Sequence, residues 1–317
     1  MTKKKRDHGG GLDAAILEHG GGRIDWCDLS TGINPHAYPV GKLPDDAWTA
    51  LPDRAAQTRL IAAARSFWNV PERAGIIAAS GASALIAQIP GLLPASTVSI
   101  PGPTYNEHAA AFSAAGWEVH EEGPATAQVV VHPNNPDGRI WSAQTLPVRL
   151  PELTVIDESF CDVVPEESLI AQAGEPRLLI LKSFGKFWGL AGLRLGFAIG
   201  DPALLDRLVE AVGPWAVSGP AQHIGATALG DDAWADQTRI RLCKDSARLD
   251  ALMQKAGAKP IGGTTLFRLY DVGDAMHWQR RLAQHRIWSR CFPYNTSWLR
   301  LGLPHARHWP RVEAALA

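Results

Sequence analysis

One short segment, Ser183-Phe-Gly-Lys186-Phe-Trp-Gly-Leu-Ala-Gly-Leu-Arg194, carries the strongest chemical signal in the chain. Its lysine stands among small, aromatic and glycine residues. Apolar surroundings disfavour an ammonium ion, so such a lysine is partly neutral and can attack a carbonyl. Ser183 offers a hydroxyl and Arg194 a fixed guanidinium, which together suit a phosphate. A Schiff-base amine flanked by phosphate donors meets the needs of an aldehyde cofactor that carries a phosphate. A buried structural lysine beside a turn is the plainer alternative, and this segment alone does not decide between them.

Other positions extend the pattern. Asp157 ends the apolar run Leu153-Thr-Val-Ile-Asp157. In open α/β sheets ligands bind beyond the carboxyl ends of the strands, and a carboxylate there can pair with a protonated ring nitrogen. His132-Pro-Asn-Asn135-Pro-Asp-Gly138 puts an amide donor in a proline-braced turn, although these residues also make ordinary turns. Ser80-Gly-Ala82-Ser83 precedes the helical run Ala84-Leu-Ile-Ala-Gln88. Free N–H groups and a hydroxyl there would take a phosphate, and a serine N-cap would use the same geometry. Tyr105, in Pro101-Gly-Pro-Thr-Tyr105-Asn106, follows a candidate strand and can stack on a ring.

The elements that must hold these residues are legible in outline. Near-continuous apolar runs at Thr97–Pro101, Gln128–His132, Leu153–Asp157, Leu178–Lys182 and Leu195–Ile199 alternate with alanine-rich helical stretches. Such runs predict a mostly parallel sheet flanked by helices, an α/β large domain spanning residues 45–220. Residues 1–44 are glycine-rich and read as an irregular arm that joins a smaller α+β domain, residues 221–317. That domain opens with a long helical region from Ala221 to Lys255, followed by strands near Thr265–Tyr270 and Trp298–Gly302.

Composition narrows the function classes. The 317 residues are 46% hydrophobic and 20% charged, with a formal net charge of −1. Nothing there forms an electrostatic footprint for nucleic acid. No apolar run reaches the length of a membrane span, and the basic start Met1–Arg6 lacks the apolar region of a signal peptide. Cys27, Cys161, Cys243 and Cys291 show no zinc or redox spacing and are expected as free thiols in a reducing cytoplasm. No metal is expected. Most of the twelve tryptophans should be core or interface anchors.

In their order along the chain, these features resemble fold-type I pyridoxal-phosphate enzymes of the class I/II aminotransferase superfamily, across nearly the whole sequence. The resemblance implies pyridoxal 5'-phosphate as cofactor, with Lys186 as the amine that carries it. It further implies Asp157 on the pyridine nitrogen, Asn135 on the phenolic oxygen and Tyr105 stacked on the ring. Ala82, Ser83, Ser183 and Arg194 would then hold the phosphate. The bond that breaks in such enzymes is the one held perpendicular to the ring, so positioning rather than fold chooses the reaction.

Two neighbouring families compete, the histidinol-phosphate aminotransferases and the threonine-phosphate decarboxylases of cobalamin synthesis. His8-Gly-Gly-Gly-Leu-Asp-Ala, Asp28-Leu-Ser-Thr-Gly-Ile-Asn-Pro35, Asp157-Glu-Ser-Phe160 and Gly213-Pro-Trp-Ala-Val-Ser218 are similar to the second. Phe160 stands where the aminotransferases usually show tyrosine, and it has no hydrogen-bond donor. That resemblance implies decarboxylation of L-threonine O-3-phosphate. Arg300 would bind the α-carboxylate, Arg290 with His8 the substrate phosphate, and the segment Gly32-Ile33-Asn34 would orient the carboxylate. His19 heads a string identical to that of His8, and the spacing to Asp28 and Asn34 favours His8. For Arg300 the alternative is an exposed strand position. A homodimer is implied as well, although Leu51 replaces the tyrosine that usually reaches the partner's cofactor. A non-catalytic cofactor-binding module would bring a helix-turn-helix domain, for which the first forty residues show no pattern.

Overall fold

The computed structural model describes residues 8–146 and 151–317, so Met1–Arg6 lies outside them. In chain order the helices and strands begin with α1 (Leu12–His19), β1 (Cys27–Asp28), α2 (Arg54–Phe67), β2 (Gly75–Ala79), α3 (Ala82–Gln88), β3 (Thr97–Ser99), α4 (Asn106–Ala114), β4 (Glu118–His120) and β5 (Ala127–Val131). They continue with β6 (Leu153–Asp157), β7 (Leu178–Ser183), β8 (Gly196–Gly200), α5 (Pro202–Val212), α6 (Gly219–Ala228) and α7 (Asp232–Lys255). The last are β9 (Lys259–Thr264), β10 (Phe267–Asp271), α8 (Ala275–Gln284), β11 (Ile287–Trp288), β12 (Arg290–Phe292), β13 (Asn295–Gly302) and α9 (Trp309–Leu316).

The chain forms two compact units. One holds Ala37–Asn135 and Arg139–Asp236 and is built on a seven-stranded sheet of order β2-β8-β7-β6-β5-β3-β4. β3 to β7 run parallel, whereas β8 runs antiparallel to both β7 and β2. Every residue of β5, β6 and β8 is buried, which explains their unbroken apolar reading: both faces are covered. Val129, Val155, Leu179 and Ala198 from the strands meet Leu85, Phe112 and Leu208 from α3, α4 and α5 in one core. β2 and β4 escape sequence reading for different reasons. β2 is only partly buried and rich in alanine and glycine, and β4 has three residues.

The other unit comprises the described residues up to His36, Pro136–Gly138 and Gln237–Ala317. It carries an antiparallel sheet of order β12-β13-β10-β9 and a parallel pair, β1 with β11. Its N-terminal stretch is less irregular than the glycines suggest. Leu-Asp-Ala-Ala-Ile-Leu-Glu-His is a run of good helix formers that makes α1, and Gly20, at φ 76°, ends it. α1 buries Leu12 and Ala15 against Trp26 and Ala283. The expected helix from Ala221 to Lys255 is two helices, broken at Gly230 between α6 and α7.

Candidate active site

In the first unit the carboxyl ends of β6 and β7 and the amino end of α3 converge on one cavity. Ala82, Ser83, Tyr105, Asn135, Asp157, Ser183, Lys186 and Arg194 all line it, together with Phe160 and Ser159. All the residues read as cofactor ligands are therefore brought together.

Asp157 is buried, and its carboxylate is held from two sides. Oδ2 lies 2.8 Å from His108 Nε2, and Oδ1 accepts from the Ser159 N–H at 3.0 Å and from the Ser159 hydroxyl. Burial pushes its pKa up, but the His108 contact and the Ser159 hydrogen bonds outweigh this and leave it below the ordinary carboxylate value. Asp157 is thus an anion in a dry site. His108 was not singled out from the sequence. The available signal was its position three residues after Tyr105, one turn along α4, where the two rings meet edge-on at 6.1 Å. Burial, Asp157 and Glu107 push the Tyr105 phenol up to about 12, against the opposing pull of Ser83 and Arg194.

The turn before α3 is shaped by close approach. Gly81 is the N-cap residue at φ 85°, so no serine caps this helix. A Cβ on Gly81 would lie 2.6 Å from Arg194 Nη2, and one on Gly196 would lie 2.3 Å from the Ala82 nitrogen. Glycine at both positions lets Arg194 and the start of β8 pack directly on the first amides of α3. Those amides, the Ser83 hydroxyl and the guanidinium form a cradle for an anion. Ser183 ends β7, and its hydroxyl accepts from the Gly185 N–H at 3.4 Å.

Lys186 sits in the turn after β7 with Nζ 5.5 Å from the Phe160 ring centre. The turn is anchored by aromatics on both sides of the lysine. Trp188 stacks between Phe184 (5.0 Å, 7°) and Trp234 (5.2 Å, 11°), and Phe187 meets it edge-on. Phe184, Phe187 and Trp188 are fully buried. Of the two asparagines, Asn134 is knitted into the backbone, its amide donating to Pro103 O and its carbonyl accepting from Thr104 Oγ1, whereas Asn135 faces the cavity.

In the second unit His8 and Arg290 line one cleft with Gly9, Gly10, Ser30 and Ser289. His19 packs instead against Trp26 and Trp288, each 6.1 Å away, so the duplicated strings separate in space. Arg300 is buried in β13 rather than exposed; Nη2 donates to Ser30 O at 2.7 Å, and the guanidinium lies 5.1 Å from the Phe267 ring centre. Arg290 and Arg300 are direct cross-strand partners, an unfavourable like-charge pairing that a bound anion would relieve. Gly32, Ile33 and Asn34 do not line that cleft. They follow β1 in a segment that abuts β13, where a Cβ on Gly302 would lie 2.1 Å from Thr31 O. Asn34 Oδ1 accepts from the His36 N–H at 3.0 Å and from Arg241 at 3.4 Å. Leu51 is exposed.

The sheet order, the lysine turn after β7 and the carboxylate ending β6 define a fold-type I pyridoxal-phosphate enzyme fold. The chain belongs to the aminotransferase class I and II family, whose sequence profile matches residues 121–308. It is 39% identical to a threonine-phosphate decarboxylase of Pseudomonas aeruginosa, over 98% of this chain and 97% of that one. It is 32% identical to a histidinol-phosphate aminotransferase of Mycobacterium bovis, over 55% of this chain and 53% of that one. A histidinol-phosphate aminotransferase of Sinorhizobium meliloti, solved in complex with pyridoxal-5'-phosphate, superposes with a TM-score of 0.78 at 19% identity, covering 96% of this chain and 92% of that one. Among the described residues, no helix is long and apolar enough to cross a membrane.

Proposed function

We propose that this chain is a pyridoxal-phosphate-dependent lyase that decarboxylates L-threonine O-3-phosphate to (R)-1-amino-2-propanol O-2-phosphate, a step of cobalamin biosynthesis. The observation that carries this reading is the likeness to a threonine-phosphate decarboxylase along nearly the full length of both chains. The likeness to the aminotransferase named above spans about half of each. Phe160, 5.5 Å from Lys186 Nζ, offers the cofactor's phenolic oxygen no donor, which changes the cofactor's electronics without itself selecting decarboxylation.

The cavity fits the cofactor. It joins an ionised buried carboxylate, a lysine against an aromatic ring and an anion cradle that a Cβ on Gly81 would fill. Ala82, Ser83, Ser183 and Arg194 would hold the phosphate, Tyr105 would stack on the ring, and Asn135 would meet the phenolic oxygen. Asp157 binds the pyridine nitrogen and keeps a proton on it, an arrangement that favours the charged state of both groups. When bound, the cofactor supplies a conjugated cationic ring that accepts the electron pair left behind as CO2 departs. Lys186 would hold the cofactor through its amine, and its Nζ would deliver a proton to the substrate Cα once the carboxylate has gone.

Arg300, buried and already fixed by Ser30, takes the α-carboxylate. Arg290 and His8 take the substrate phosphate, and the segment Gly32-Ile33-Asn34 orients the carboxylate through main-chain contacts. Two arginines for two anionic groups match this substrate. We further propose a homodimer working in the cytoplasm. Exposed Trp48, Leu51 and Trp215 are apolar side chains that a partner could cover, and the four cysteines are free thiols.

The test is an assay of cofactor-loaded protein with L-threonine O-3-phosphate, with and without 2-oxoglutarate. CO2 release that needs no keto acid is expected. Glutamate formation from histidinol phosphate without CO2 from threonine phosphate would replace this reading with the aminotransferase.

A further inference from the structure

Directly after Asp157, Glu158 enters a buried ionic cluster that the chemistry above does not use. Glu158 Oε2 lies 2.6 Å from Lys182 Nζ and accepts from Ser168 Oγ at 2.6 Å, while Oε1 accepts from the Leu169 N–H at 2.7 Å. Lys182 Nζ also lies 3.6 Å from Asp162 Oδ1, which accepts from Trp68 Nε1 at 2.9 Å. Lys182, Glu158 and Asp162 are 2%, 1% and 4% exposed, so water takes almost no part in these contacts. Burial alone would lower the Lys182 pKa, but the Glu158 and Asp162 carboxylates outweigh it and hold it above the ordinary lysine value.

His132 and Cys161 approach Glu158 closely enough to suggest a metal site. Their chemistry argues otherwise. His132 Nε2 is engaged by Glu167 O at 2.7 Å, and Nδ1 accepts from the Trp141 N–H at 3.0 Å. Burial pushes the Cys161 thiol well up, which disfavours the thiolate a metal needs. The cluster is an ion-pair site.

Its reach comes from strand geometry. Side chains alternate across a sheet, so Glu158 and Lys182 point away from the cavity that their neighbours Asp157 and Ser183 line. The Glu158 N–H donates to Leu181 O at 2.9 Å, so the β6–β7 pairing continues to this point. A buried ion pair adds little net stability compared with an apolar pair of the same volume. What it adds is a fixed separation between two strand ends.

We propose that Glu158 and Lys182 are positioning residues that set the spacing between Asp157 and the Ser183–Lys186 segment. This rests on the cofactor reading above.

The experiment compares wild type, Glu158→Gln, Lys182→Met and the double variant, all loaded with pyridoxal phosphate. Three quantities are read: urea unfolding, the pH titration of the cofactor's visible absorption, and kcat and KM for CO2 release. The neutral double variant is expected to unfold near the wild-type urea concentration. Its kcat should fall about tenfold with KM little changed, as a misplaced reacting group predicts. Its absorption midpoint should move by about half a pH unit or more. A double variant with wild-type titration and kcat overturns the proposal, whatever its stability. If that variant does not fold, Glu158→Asp keeps the charge but shortens the reach, and wild-type titration and kcat there overturn the proposal equally. A wild type that takes up no pyridoxal phosphate refutes the functional reading and this proposal with it. A normal wild type beside unaffected variants refutes this proposal alone.

Discussion

Replacing His108 by phenylalanine isolates what keeps Asp157 ionised. The ring bulk is retained, so the α4 packing survives, but the 2.8 Å contact to Oδ2 is lost while the Ser159 bonds to Oδ1 remain. A hydrogen bond to a buried charged group contributes about 1.5–3 kcal/mol. Asp157 has a depressed folded pKa, so its stabilisation is present above the unfolded carboxylate value and is lost as pH falls through the folded one. The variant should therefore be about 1.5–3 kcal/mol less stable than wild type at pH 7. That deficit should shrink only as pH falls below the ordinary carboxylate value of 3.8, towards the lower folded value of wild type. Urea unfolding of the cofactor-free protein, followed by tryptophan fluorescence at several pH values, reads this directly. A deficit that stays the same size as pH falls from 7 to well below the ordinary carboxylate value of 3.8 would mean lost packing rather than lost charge stabilisation. No deficit at pH 7 would mean that Ser159 alone holds the carboxylate.

Three further outcomes follow from the site. Gly81→Ala places a methyl 2.6 Å from the Arg194 guanidinium on a backbone at φ 85°, so cofactor affinity should fall at least about tenfold in an absorption titration. Trp188→Ala empties the fully buried stack beside Lys186 and should cost about 3–5 kcal/mol in urea unfolding. Tyr105 keeps its proton until about pH 12, so Tyr105→Phe should leave the alkaline limb of kcat/KM unmoved; a limb that disappears would show that the phenol titrates in catalysis.

The parts of this site that sequence reading reaches are those with a local signature. Unbroken apolar runs mark β5, β6 and β7 because both faces of the sheet are covered, and their ends locate Asp157 and Ser183. Lys186 is marked by the residues around it. His108 and Lys182 have no such marks. A histidine on an alanine-rich helix looks like any helical histidine until α4 folds against β6. Lys182 ends a strand, where a solvated lysine is ordinary, and its partners Glu158 and Asp162 lie far back in sequence on another element. Gly81 illustrates the same limit for backbone. The sequence suggests a serine cap, while the crowding by Arg194, distant along the chain, is what demands glycine.

The two carboxylates that follow one another at the end of β6 have opposite fates for a simple reason of geometry. Alternation sends Asp157 to the cavity and Glu158 to the covered face, and each is then given the partner that its surroundings demand. Asp157 meets His108 and Ser159, which stabilise its charge and leave its outer side to the cavity that Lys186 also lines. Glu158 meets a lysine and two further donors, which neutralise it within the fold. Lys182 and Lys186 are separated differently: Lys182 lies within β7 on the covered face, and the turn that follows the strand carries Lys186 to the cavity. Asp157 and Lys186 are thus reserved for chemistry, and Glu158 and Lys182, one residue after the first and four before the second, hold them in place. A chain that placed all four groups on one face would pair them with one another, and none would be left to meet a ligand in the cavity.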